Sequence, residues 1–397
     1  MFKNEDIPTS RRKLGWYEVD DTIYINKYHA LENCANNEIP KWNFHDEIYS
    51  SYDWSNEPSD DLYELYRKRA QQLRDEYDYV ILYYSGGIDS HTVLKSFIDN
   101  DIKIDGVVIY GTYSTTNVSS NIEQRTVALP YMERLRQEGK LYFPVFELDI
   151  VNHHYNFHDE NWVYASGHSL SPIVYSYNSF WKDPWMQNVI NKGKTCFVRG
   201  IDKPRVILEN DTWFGAFLDS NILAGSPTGT LSKNQDWDIQ EYFFWTPDMP
   251  ELAIKQAHVM VNWLERHMNL EEIKTLTTKN KDFDRARYNK YADPLMYGKY
   301  ISQKPGEDKS YFSLTKPKFT NLYHKDMWFV ESRDINKSNY DAWLAGLQMI
   351  KQKIDPRFFN DSMVDFTLPT EIQDVSSILC GSIGCWSAFH EIKKYTV

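Results

Sequence analysis

The sequence predicts an α/β protein built on a parallel sheet with helices on both faces, followed by a mixed, mainly helical C-terminal region. Three observations predict it. Short continuous apolar runs at residues 79–84, 106–110 and 195–199 read as strands buried on both faces. Segments with three- and four-residue apolar spacing lie between and around them. Strand, helix and strand within about thirty residues make a parallel βαβ unit the natural solution.

The elements follow in order. The first 58 residues are irregular and aromatic-rich, with a strand-like piece at 21–26. Residues 59–77 repeat Leu62, Leu65, Tyr66, Ala70 and Leu73 on one helical face, and Ser59 and Asp60 can cap the start. After the strand at 79–84 come a helix at 91–100, a strand at 106–110 and a helix at 121–138. A strand at 141–148 has to accommodate Pro144, a broken helix is expected at 171–191, and a buried strand at 195–199. Residues 205–217 and 239–245 read as further strands, and 338–354 as a helix. Between them, 250–268 is an amphipathic helix with Ala253, Ala257, Met260, Val261 and Leu264 on one face. The best linker is the Gly-Ser-Pro-Thr-Gly stretch within 225–240, which divides the chain into 1–58, a nucleotide-type domain at 59–230, and an accessory region at 231–397.

Composition narrows the function classes. Net charge is −12, so a polyanion partner would need a local basic patch, and extended nucleic-acid binding is not expected. Cys34, Cys196, Cys380 and Cys385 are too few for a disulfide framework. The N-terminal stretch has no apolar core of the secretory kind. The uncharged stretch at 161–181 is long enough to span a bilayer but is full of Ser, Asn and Tyr. A cytoplasmic protein with no membrane segment is the expectation.

The informative segment is Ser85-Gly86-Gly87-Ile88-Asp89-Ser90, between a buried strand and a helix. Two glycines let the backbone turn sharply and approach a ligand with no Cβ in the way. Loop and first-turn amides then face one concavity with the helix dipole behind them. Ser85 and Ser90 add hydroxyls. Asp89 makes sense beside phosphate only with a cation between, and Mg²⁺ suits one carboxylate plus phosphate oxygens. A Gly-Gly turn with a helix cap is the plain alternative.

These residues match the Ser-Gly-Gly-x-Asp-Ser signature, and here the sequence resembles the N-type ATP pyrophosphatases, or PP-loop enzymes. The asparagine-synthetase-like ligases are nearest. The resemblance covers roughly residues 77–219 and implies an adenine nucleotide alpha-hydrolase-like fold, with ATP as substrate and Mg²⁺ as cofactor. It implies cleavage between the α- and β-phosphates, adenylylation of a carboxylate, amide or carbonyl oxygen, and displacement of AMP by a nucleophile. Ser85 through Ser90 would then hold the nucleotide, and Tyr110 and Gly111 would lie against adenosine. A family Gly-x-Asp is similar to Gly200-Ile201-Asp202, whose aspartate would share the metal with Asp89. The family's asparagine synthetases continue with an acidic residue; here Lys203 and Arg205 follow, which argues against an asparagine-type substrate. Lys203 is expected to act with Asp89 and Asp202 at the transferring phosphate, and Arg205 to contact the nucleotide. Phe2 stands where a glutaminase nucleophile would be, so free ammonia or an amine is the expected nucleophile.

Other motifs carry less. Gly193-Lys194-Thr195 mimics the end of a Walker A loop but precedes a strand. His153, His154, His158 and Asp159 share no helical i, i+4 spacing that includes all of them, and their Asn- and Asp-rich surroundings read as a polar loop. Lys255 and the mixed-charge run 279–290 are alternative phosphate contacts. Cys380 and Cys385 keep a sulfur-transfer or reductase reading open, and a non-catalytic nucleotide-binding module is a third class. The expected partners are a small-molecule, nucleotide or peptide substrate, with a homodimer left open.

Overall fold

Strand pairing begins near the N-terminus. β1 (Trp16–Val19), β2 (Thr22–Tyr24) and β3 (Lys41–Asn43) form an antiparallel sheet in the order β2-β1-β3. The β1–β2 turn rests on Asp20 and Asp21, whose φ angles of 46° and 60° suit a tight hairpin. The computed structural model describes residues 15–24, 26–35, 38–111, 124–149, 160–165, 184, 188–189, 192–200, 203–219, 239–278, 285–301, 329–335, 337–359, 369–379 and 382–395.

Helix α1 (Leu62–Glu76) forms where the apolar spacing predicts. Its cap is Asp61 rather than Ser59 or Asp60, because the Asp61 carboxylate is the one that accepts from the Glu64 N–H, at 2.8 Å. Next come β4 (Tyr79–Tyr83), α2 (Ile88–Ile98) and β5 (Gly106–Gly111). The helix expected over 121–138 is a π-helical turn, Gln124–Ala128, running into α3 (Leu129–Gln137). β6 (Val145–Asp149) starts after Pro144, which has no N–H to give the ladder. β7 (Thr195–Arg199) forms as expected. Most of 171–191 lies outside the described residues; 184 and 188–189 are helical.

The single strand expected over 205–217 is a hairpin, β8 (Arg205–Glu209) and β9 (Thr212–Ala216). Asn210 and Asp211 turn the chain with φ of 49° and 54°, which these two residue types tolerate. β10 (Ile239–Tyr242) then returns to the main sheet. α4 (Pro250–His267), α5 (Leu270–Leu276), α6 (Arg285–Ile301) and α7 (Lys337–Lys353) follow, and β11 (His390–Lys394) completes a second antiparallel sheet in the order β11-β9-β8.

Among the described residues the main sheet has five strands in the order β10-β7-β4-β5-β6, every pair parallel. From β4 the chain builds outward through β5 and β6 on one side, then returns to add β7 and β10 on the other. The division drawn at 230/231 cuts this sheet, since β10 pairs with β7. The main core likewise runs from Tyr17 to Ile392, with α4 and α6 packed against α1 and α2. α7 belongs instead to a second cluster around Trp343, Leu347 and Phe329. No helix among the described residues is long and apolar enough to cross a membrane.

The aromatic wealth is largely packing. Phe217 contacts Phe44 at 4.9 Å, Tyr49 at 4.6 Å and Trp245 at 5.2 Å between ring centroids, joining the N-terminal segment to both sheets. A buried ion pair holds β10 to α1: Arg69 Nη2 lies 2.8 Å from Glu241 Oε2, with both side chains at most 1% exposed. Tyr77 donates to the other Glu241 oxygen. Arg69→Met would strand that carboxylate in the core. It should destabilise the fold by about 3 kcal/mol in urea unfolding. An unchanged midpoint would mean that the pair holds nothing.

His390 is buried at the start of β11 and stacks on Trp54 at 4.7 Å. Burial pushes its imidazole down from 6.5 to about 4. The folded protein thus favours the neutral ring, while the unfolded chain takes up a proton below 6.5. Stability should be full above that value and fall as pH drops towards 4, and His390→Phe should flatten that slope. A parallel acid profile in the variant would contradict the assignment.

Candidate active site at the carboxyl edge of the parallel sheet

Because β4, β5 and β7 are parallel, their C-terminal ends share one sheet edge. The chain leaves β4 towards β5 on one side and later leaves its other neighbour, β7, away from it. The crevice between β4 and β7 is the switch point where open α/β sheets place ligands. Two of the sequence-predicted segments end there.

The first is the glycine loop. Gly86 has φ of +84°, the left-handed region that favours glycine, and a Cβ there would come within 3.1 Å of the Ala128 nitrogen and 3.2 Å of Val127 Cβ. Ser85 Oγ accepts from the Gly87 N–H at 3.1 Å, and Ser90 Oγ donates to the Gly87 carbonyl at 3.1 Å. The two hydroxyls lie 3.2 Å apart and fix the loop. Gly87 is the N-cap of α2, and no side chain caps that helix. Ile88 is buried beneath the loop, whereas Ser85 is exposed.

The second is the exit of β7. A Cβ on Gly200 would lie 2.8 Å from the carbonyl carbon and oxygen of Asp89 and from the Ser90 nitrogen. Only glycine lets this strand end press against the first turn of α2. Lys203 follows, 1% exposed, with its ammonium 3.4 Å from Asp89 Oδ1 and 2.8 Å from Asp293 Oδ1. Its Nζ also lies 5.2 Å from the centre of the Tyr297 ring. Burial first, and then the negative charge of Asp89, hold the Tyr297 phenol well above its ordinary pKa.

Asp293 and Tyr297 were missed in the sequence. They sit one turn apart on α6, which docks along the segment leaving β7. Tyr288 accepts from the Val206 N–H at 3.2 Å and donates to the Pro204 carbonyl at 3.3 Å. Their one available signal was the four-residue spacing on a common helical face. The basic run beside them drew attention to 279–290 instead, of which 279–284 lie outside the described residues.

The remaining expectations divide. Gly111, at the end of β5, is on the same sheet edge as the loop, as is the Tyr110 backbone. Asp202 lies outside the described residues, as do Cys380 and the histidines at 153–158. Arg205 is fully buried in β8, donating to Asn289 Oδ1 at 3.0 Å with its guanidinium 4.9 Å from the Tyr288 ring centre. Those described contacts place it between β8 and α6. Gly193-Lys194 stands at the start of β7, the opposite sheet edge, where the Lys194 N–H donates to Asp78 at 2.8 Å. Lys255 is tied to Glu57 at 2.6 Å. Cys385 is fully buried, and burial followed by the Asp219 charge pushes its thiol up, away from the reactive thiolate.

The donor set fits a magnesium–phosphate group. An exposed serine, an uncapped helix start and a part-exposed carboxylate lie together on the loop and the first turn of α2. No protein-family model, no curated protein and no solved structure matches the chain.

Gly200→Ala should drive β7 and α2 apart, costing about 1–3 kcal/mol in urea unfolding. Gly139→Ala is the control, because it meets nothing within 4 Å and strains only its own φ of +70°. Equal, small losses in both would contradict the close approach at Gly200.

Proposed function

We propose that the chain is an AMP-forming ligase of the ATP pyrophosphatase type. It cleaves ATP to AMP and pyrophosphate, adenylylates a carboxylate, amide or carbonyl oxygen, and passes the activated group to an amine or ammonia. The observation that carries this reading is the meeting of the Ser85–Ser90 loop with Gly200 and Lys203 in the β4–β7 crevice.

The loop amides and the start of α2 receive the β- and γ-phosphates, which become the leaving pyrophosphate. Asp89 holds the magnesium, with Asp202 as the second carboxylate that the resemblance implies. Bound Mg²⁺ supplies positive charge against the separating phosphates. Lys203 offsets charge gathering on the α-phosphate, from a buried position beside Asp89. No side chain needs to act as nucleophile; the work is positioning and charge stabilisation. The loop lacks the lysine that γ-phosphoryl transfer uses. Cys385, buried with its thiol protonated, gives the sulfur-transfer reading no support.

Incubation with Mg²⁺, α-labelled ATP and a panel of carboxylates and amines should yield labelled AMP. Asp89→Ala should abolish that product while leaving the fold intact by circular dichroism. Labelled ADP as the main product would overturn the reading, as would full activity in the variant.

A further inference from the structure

We propose that Asp293 is a positioning residue that keeps Lys203 seated beside the glycine loop when Asp89 turns to the metal-bound nucleotide. The proposal rests on the nucleotide reading above. A fully buried ammonium is costly without a carboxylate partner. Among the described residues Lys203 lies between two, and the closer is Asp293, at 2.8 Å against 3.4 Å for Asp89. The longer contact belongs to the carboxylate that the loop presents to a metal. Loss of that contact leaves Lys203 held by Asp293 and placed over Tyr297.

α6 is built to hold that position. Tyr288 bonds to the backbone on both sides of the strand entry, and Asn289 accepts from Arg205 at 3.0 Å. Further along, the Met296 carbonyl accepts from the Tyr66 hydroxyl at 3.0 Å. Asp293 therefore stands between two fixed points. With Asp293 neutral, Lys203 draws more strongly on Asp89 and competes with the metal for it.

The test is a double-mutant cycle read by calorimetric titration with Mn²⁺ and the non-cleavable analogue α,β-methylene ATP. Asp293→Asn should weaken binding about tenfold in the wild-type background and leave it unchanged in Lys203→Met. Asp293→Glu should recover most of the loss. A fault of folding alone would persist in both backgrounds, so equal losses there would overturn the proposal. Wild-type affinity in Asp293→Asn would overturn it as well. Failure of the wild-type protein to bind the analogue would instead bring down the nucleotide reading, and this proposal with it.

Discussion

The close approach of Gly200 to the first turn of α2 sets much of the architecture around the crevice. The backbone of β7 passes where any Cβ would strike the Asp89 carbonyl and the Ser90 nitrogen. That contact fixes how deeply the β7 exit sits against the glycine loop, and so where Lys203 enters. The parallel β4–β7 ladder brings the two segments level, since Tyr83 is paired with Arg199. α6 packs there through Tyr288, Ala292, Met296 and Tyr297 in the main core, and so brings Asp293 to the buried lysine.

The site thus depends on elements far apart in the chain. The loop comes from the first βα unit, the lysine from the segment leaving β7, and the second carboxylate from a helix after the sheet is complete. The other sheets serve as its support. β11 pairs with β9 of the hairpin that follows Lys203, and the backbone of Trp42, on β3, donates to the Trp386 carbonyl at 3.2 Å, joining an N-terminal strand to the C-terminal segment. Buried polar groups follow the same logic. Asp219 receives the Lys27 ammonium at 2.8 Å, the Tyr17 hydroxyl at 2.8 Å and the Cys385 N–H at 2.6 Å, which ties N- and C-terminal segments together.

What the sequence made legible was local. The strand–loop–helix around Ser85–Ser90 reads directly, because a continuous apolar run, two glycines and an apolar helix each bear their own signature. α1, α4 and α7 show their faces through spacing. The β8–β9 hairpin had a signal that was passed over: Glu209-Asn210-Asp211-Thr212 interrupts the apolar run with four polar residues, and Asn and Asp are the types that take the positive φ of a tight turn. β10 looked like part of another region, since pairing across a long insertion leaves no mark on either strand. Asp293 and Tyr297 were invisible for the same reason. Their role depends on a lysine that only the fold brings near, and Arg205, beside that lysine in sequence, is drawn into packing instead.

On the proposed reading, the β4–β7 crevice holds ATP with its α-phosphate at Lys203 and its β- and γ-phosphates on the loop. A crystal structure with Mg²⁺ and α,β-methylene ATP tests it most directly. The expected density has the terminal phosphates on the amides of residues 86–90, the metal on Asp89, and the Lys203 ammonium beside the α-phosphate. Nucleotide bound elsewhere, or in the crevice with its γ-phosphate at Lys203, would contradict it.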